Sequence, residues 1–219
     1  MKTGIHIDEK DGLKRVILEN NLLRAELIPE IGGKMSSLYY KPSGREMLLQ
    51  PQNEGGIYRR AEYGDPFDSY DTSGFDECFP TVEAAEYPMA EGSDESLHFP
   101  DHGELWSIPW NYKQNGEQVM LAVKGHRWDY DFRKKVSLNS NRLEIEYRLS
   151  NNSSKPFFYI WSAHPLLQVE PGDRLLFHTE IKDVFLNWTS DKSIGRFGDR
   201  LEWPHLSQQS ETKYSTVQE

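Results

Sequence analysis

The sequence predicts an all-β fold, a large antiparallel β-sandwich, on three observations. Apolar and polar residues alternate with the period of two that half-buried strands require. Turn residues interrupt these runs at short intervals. No stretch carries three turns of amphipathic helix.

Taken in order, "LLRAELIPEIGGKMSSLYY" (22–40) reads as two strands hinged at Pro29 and Gly32–Gly33. "KPSGRE" is a turn before "MLLQ". Residues 50–100 are rich in Gly, Pro, Asp, Glu and Tyr with little periodicity, as in "GGIYRRAEYGDPFDSYDTSGFDECFP". A long irregular stretch of this kind is expected to form pocket walls or a lid. "QVMLAVKG" is a strand candidate. In "RWDYDFR", Trp128, Tyr130 and Phe132 alternate with Asp129, Asp131 and Arg133. In "RLEIEYRLS", Leu143, Ile145, Tyr147 and Leu149 alternate with Glu144, Glu146 and Arg148. "SLNSNR" lies between these two, so they are expected as neighbours in a hairpin or meander. After the turn "SNNSSKP", the run "FFYIWSAHPLLQV" is apolar enough for a strand buried on both faces. "RLLFHTEI" is one more candidate. No internal repeat or linker divides the chain, so residues 1–219 are expected to form a single domain.

The chain has 219 residues, 12% of them aromatic, which is enough for a substantial core. Its formal net charge of −10 repels phosphate backbones and argues against nucleic acid and anionic membranes as partners. A neutral small molecule fits this charge. Cys78 is the only cysteine, so no internal disulfide forms and no all-thiolate metal cage is available. The N-terminus lacks a signal-like apolar core, and no apolar run approaches the ~20 residues of a membrane helix. The expectation is a cytoplasmic protein.

Three motifs carry chemistry. "HFPDHGELW" (98–106) holds two histidines four residues apart. Pro100 and Gly103 oppose the helix that would align such a pair on one metal ion, so no metal is expected there. The motif reads either as solvent-exposed loop histidines or as part of a polar ligand site. Trp106 reads as core packing or as the wall of a sugar pocket. In "SAHPLL", His164 follows an aromatic strand and precedes a proline that keeps it extended. It is either a core histidine satisfied by one neighbour or a general acid, since a pKa of ~6.5 suits proton transfer near neutrality. In "GFDECFPT", Asp76 and Glu77 are either outward-facing strand residues or hydroxyl acceptors in a pocket. Cys78 has no basic neighbour in sequence and reads as a structural thiol. No nucleophile elbow, phosphate loop or dinucleotide fingerprint occurs.

Four stretches in order resemble the aldose 1-epimerase (galactose mutarotase-like) family, from about residue 15 to about residue 185. They are "RAELIPEIGGKMSSLYYKPSGREMLL", "DECFPT", "DHGELWSIPW" and "WSAHPLLQVEPGDRL". The resemblance implies the family's supersandwich and interconversion of the α and β anomers of a free aldose, without cofactor or metal. It places His164 as the acid that protonates the ring oxygen and His102 as a hydrogen-bonding partner near it. It puts Asp76, Glu77, Trp106 and Trp161 at the sugar. The family's general-base glutamate, in a late Glu-Pro sequence, has no counterpart: Glu170–Pro171 directly follows the His164 segment. Asp183, Asp191, Asp199 and Glu202 are late carboxylates by position alone. The resemblance therefore implies a sandwich lacking its C-terminal strands. Beside the epimerase stand two alternatives, a non-catalytic sugar-binding or sensing domain and an incomplete domain that needs a partner chain. The last would self-associate through an unpaired sheet edge.

Overall fold

A computed structural model describes residues 2–87, 97–187, 189, 192–204 and 217. Its contacts fall into two compact units, Met1–Gln168 and Val169–Glu219. The first unit holds β1 (Gly4–Lys10), β2 (Leu13–Glu19), β3 (Leu23–Ile28), β4 (Lys34–Tyr40), β5 (Arg45–Glu46), β6 (Phe75–Cys78), β7 (Ala85–Tyr87), β8 (Leu97–Phe99), β9 (Asn111–Asn115), β10 (Gln118–Lys124), β11 (Tyr130–Asn139), β12 (Arg142–Asn151) and β13 (Ser162–Pro165). The second holds the antiparallel pair β14 (Asp183–Phe185) and β15 (Arg200–Glu202).

In the first unit a seven-stranded sheet runs β1-β2-β3-β4-β6-β13, with β5 on β4. A four-stranded sheet runs β12-β11-β10-β9, and β7 pairs with β8. Every named strand pair is antiparallel. The antiparallel β-sandwich expected from the sequence is therefore present. The hinge expected at Pro29 and Gly32–Gly33 is the β3–β4 connection, and Gly32 is irreplaceable there. A Cβ on it would lie 2.4 Å from the Trp106 carbonyl oxygen. The β1–β2 hairpin was not read from the alternation. Its turn, Asp11–Gly12, has both φ angles positive (54° and 73°), and Asp-Gly is the signal such a turn leaves in a sequence.

The core lies between the two sheets. Val16, Leu18, Ala25, Leu27 and Met35 of the large sheet meet Val119, Leu121, Tyr130, Phe132, Val136 and Leu138 of the small one. Each of the larger aliphatic and Phe side chains among these contributes roughly 1.5–3 kcal/mol by leaving water. One inward position on β11 is not apolar. Lys134 is 2% exposed, and its Nζ meets Glu77 Oε1 at 3.2 Å. Glu77 also accepts bonds from Tyr147 Oη at 2.9 Å and Trp161 Nε1 at 3.2 Å. A buried carboxylate is tolerated only when so surrounded.

Two expected strands differ. Of "FFYIWSAHPLLQV", only Ser162–Pro165 is strand, and Phe158 and Ile160 are 68% and 62% exposed. The stretch was expected to be buried on both faces. Instead β13 is the outermost strand of its sheet and pairs only with β6 among the described residues. "RLLFHTEI" forms no strand, and Leu175, Leu176 and Phe177 are exposed. Apolar content alone cannot make a strand where no neighbour supplies the ladder bonds. No helix among the described residues is long and apolar enough to cross a membrane.

Lys134→Met should cost about 3–5 kcal/mol, because it leaves the Glu77 charge buried without its cation. The measurement is the urea midpoint. Glu77→Leu combined with Lys134→Met should recover most of the loss.

Candidate functional site

The pairing of β6 with β13 sorts the predicted residues onto two faces. His164 lies opposite Asp76, Ala163 opposite Glu77 and Ser162 opposite Cys78. Asp76, Cys78 and His164 therefore share one face, because side chains alternate along a strand. Glu77 takes the other face, where it meets Lys134 and Trp161. Glu77, expected at a sugar, is turned into the space between the sheets, and Trp161, also expected there, stays 39% exposed and donates its Nε1–H to Glu77.

His102 reaches the first face from the loop after β8. That loop is anchored by Gly103, whose φ of 70° and close approach to Phe79 leave no room for a Cβ: it would lie 2.1 Å from the Phe79 carbonyl oxygen. Glu104, fully buried, accepts bonds from Tyr130 Oη at 2.5 Å and the His126 N–H at 3.0 Å. These contacts clamp the loop to the small sheet. His102 itself sits at φ 59°. Its ring centroid is 5.1 Å from that of His164. Phe67 stacks on His102 at 4.1 Å, and Trp106 meets the edge of Phe67 at 5.2 Å. Trp106 is 4% exposed, so it backs the aromatic layer. His98 stands apart from the pair: it is exposed and its Nδ1 lies 3.2 Å from Glu86 Oε1.

Beneath the histidines is a buried ionic cluster that the sequence reading missed. Lys34 Nζ lies 2.6 Å from Asp76 Oδ2, 2.9 Å from Asp71 Oδ2 and 2.8 Å from the Ser73 carbonyl oxygen. Burial works to lower the Lys34 pKa, but the two carboxylates prevail and raise it. Burial raises the Asp76 carboxyl against the pull of Lys34. For His164 burial dominates and lowers the pKa, reinforced by the positive charges of His102 and Lys34 and opposed by Asp101. Burial, with Asp76, Glu77 and Asp101 nearby, pushes the Cys78 thiol up to about 12.

Three buried polar atoms here lack a hydrogen-bond partner: Asp76 Oδ1, His102 Nδ1 and His164 Nδ1. Asp101 Oδ2 is 3.0 Å from His102 Nδ1, but out of line for a hydrogen bond, so that contact is electrostatic. Beside Asp101 opens a cavity of about 410 Å³ lined by Tyr63, Pro66, His98, Pro100, Asp101 and Arg127. A second cavity, of about 290 Å³, lies over β2–β4 among Arg15, Arg24, Glu26 and Glu46. Its charges already satisfy one another: Arg15 pairs with Asp8 and Glu26, and Arg24 with Glu26. The histidine face, where polar atoms are left without partners, is the better site. Of the late carboxylates, Asp183 pairs with Arg200 at 2.7 Å, and Asp199 accepts the Arg196 N–H at 2.8 Å. Glu202 ends β15, and Asp191 lies outside the described residues.

The chain matches no protein-family model and no curated protein sequence. Solved structures share its fold. A galactose mutarotase-like protein from Lactobacillus casei ATCC 334 aligns with a TM-score of 0.56 at 16% identity, over 86% of this chain and 67% of that one. A protein from Synechocystis sp. PCC 6803 gives 0.61 at 16% identity, over 93% of this chain and 65% of that one. A TPR-domain containing protein from Parabacteroides distasonis ATCC 8503 gives 0.52 at 17%, over 74% and 25%. The chain thus spans about two thirds of the first two and a quarter of the third. At such identities the likeness concerns the fold alone, a galactose mutarotase-like β-sandwich.

Because the folded state holds His164 neutral, the unfolded chain takes up its proton at a higher pH than the folded one. The stability tied to neutral His164 is complete above pH ~6.5 and is lost as pH falls through the lowered folded pKa. Urea midpoints between pH 7 and pH 5 should therefore drop more for the wild type than for His164→Gln.

Proposed function

We propose that the His102–His164 face binds a free aldose and interconverts its α and β anomers. The observation that carries this reading is the convergence of two histidines, distant in sequence, with their ring centroids 5.1 Å apart and unpartnered ring nitrogens. The fold, which is that of galactose mutarotase-like proteins, and the motifs that resemble aldose 1-epimerases support it.

His164, as the imidazolium, gives a proton to the ring oxygen O5 while the anomeric hydroxyl O1 releases its proton to water. The C1–O5 bond breaks and C1=O1 forms, giving the open-chain aldehyde. Rotation about C1–C2 exposes the other face of the carbonyl. On reclosure O5 attacks C1, its proton returns to His164, and O1 takes a proton from water. His102 orients the ring-oxygen side of the sugar. Tyr63 and Arg127, in the adjoining cavity, offer an apolar face and a hydrogen-bond donor to the rest of the ring. A positioned acid of this kind is worth roughly 10²–10⁴-fold.

The second reading, a sugar-binding domain without turnover, is favoured by the state of the nearby carboxylates. Asp76 and Asp71 are both committed to Lys34. One pair of assays separates the two readings. In polarimetry, the wild type should accelerate mutarotation, and His164→Asn should abolish the acceleration while calorimetric sugar affinity stays within about tenfold. Because the acid form of His164 fills only as pH falls through its lowered pKa, the catalysed rate should rise on acidification through that pKa. Sugar binding with no acceleration at any pH would leave the binding domain; no binding would remove both readings.

A further inference from the structure

Cys78 has no part in the proton transfers above, yet it faces the two histidines. Its Sγ and one ring nitrogen each of His102 and His164 all lie within 4.8 Å of one another. The three come from β6, the loop after β8, and β13, so the fold alone assembles them. Cys78 is buried, 1% exposed, and held in a strand. The histidines are half-buried.

We propose that Cys78, His102 and His164 form a three-ligand site for a borderline-soft divalent cation of the zinc type. A thiolate with two neutral imidazoles is the donor set such ions prefer over Ca²⁺ or Mg²⁺. Zinc bonds of about 2.0–2.3 Å place tetrahedral ligand atoms about 3.3–3.8 Å apart. The observed spacing must therefore close by about 1.5 Å at most, which χ rotations of the two rings supply while the strand-held thiol stays fixed. His164 Nδ1 is buried with no competing protein partner. Asp101 Oδ2, 3.0 Å from His102 Nδ1, places a negative charge beside the site, which favours a bound cation. On binding, the Cys78 S–H bond breaks, an S–metal bond forms and one proton leaves to solvent. Three protein ligands leave the fourth position to water. The i, i+4 pair of His98 and His102 is not this site, since His98 turns away to Glu86.

The site stands on three ligand atoms and does not rest on the sugar reading. The two meet in one consequence: a bound cation occupies both histidines and should suppress anomer interconversion.

The test is a Co²⁺ titration of the full chain after metal removal, followed by absorbance. One equivalent should bind, with a thiolate-to-cobalt charge-transfer band and the intense visible bands of tetrahedral cobalt. Cys78→Ser should abolish the charge-transfer band. His164→Gln should weaken binding at least about tenfold, and His98→Ala should leave it unchanged. No stoichiometric binding, or a band indifferent to Cys78→Ser or His164→Gln, overturns the proposal, as does loss of binding in His98→Ala. Where Cys78→Ser does not fold, thermal unfolding decides. Zn²⁺ should raise the wild-type midpoint and fail to raise that of His164→Gln; equal shifts or none overturn the site. Intact cobalt binding in a chain whose metal-free form does not accelerate mutarotation would sink the interconversion reading and leave the metal site standing.

Discussion

The antiparallel pairing of β6 with β13 is the constraint on which the rest depends. It sets Asp76 opposite His164 and Cys78 opposite Ser162, and so sends Glu77 to the other side of the sheet. A slip of one residue would exchange the faces and dissolve both environments at once. The pocket and the interior of the sandwich are thus two readings of one register.

Each face then has to accommodate a buried carboxylate, and each does so with a buried lysine. Asp76 meets Lys34 from β4, and Glu77 meets Lys134 from β11. Neither pair is a strong source of stability, since desolvating two charges offsets much of their attraction. What they supply is position. Lys34 ties β6 to the loop carrying Asp71 and Ser73, directly under the histidines. Lys134 ties the large sheet to the small one through the only charged group in its inward row. Glu104 does the same for the loop of His102, through Tyr130 and two backbone N–H groups.

The chemistry of the pocket follows from what is left unsatisfied. Buried polar atoms normally find partners, and the exceptions call for an explanation. Asp76 Oδ1, His102 Nδ1 and His164 Nδ1 cluster on one face, while the charged cavity over β2–β4 is already paired internally. Phe67 and Trp106 shield the histidines from one side, which lowers the proton affinity of His164 and leaves its nitrogen available as an acceptor or ligand.

The sequence by itself determined the all-β class, the hinge at Gly32–Gly33 and the β11–β12 hairpin, and it marked His102 and His164 as candidates. Each is a local matter of alternation, of a turn residue, or of a titratable side chain at a strand end. It also held signals that went unread. Asp11–Gly12 announces the first hairpin. Strict alternation along "YDFRKKVSLN" already assigns Lys134 to the inward row with Tyr130, Phe132, Val136 and Leu138. Only the tertiary structure decided which of two adjacent carboxylates faces the histidines, that Cys78 joins them, and that Trp161 does not. It also decided that residues 158–161 lie exposed beside an outermost strand while Phe157 packs on the core. Those outcomes depend on which strands become neighbours and in what register. Composition and periodicity describe a strand's own two faces, but the identity of what lies against each face is a property of the assembled sheet.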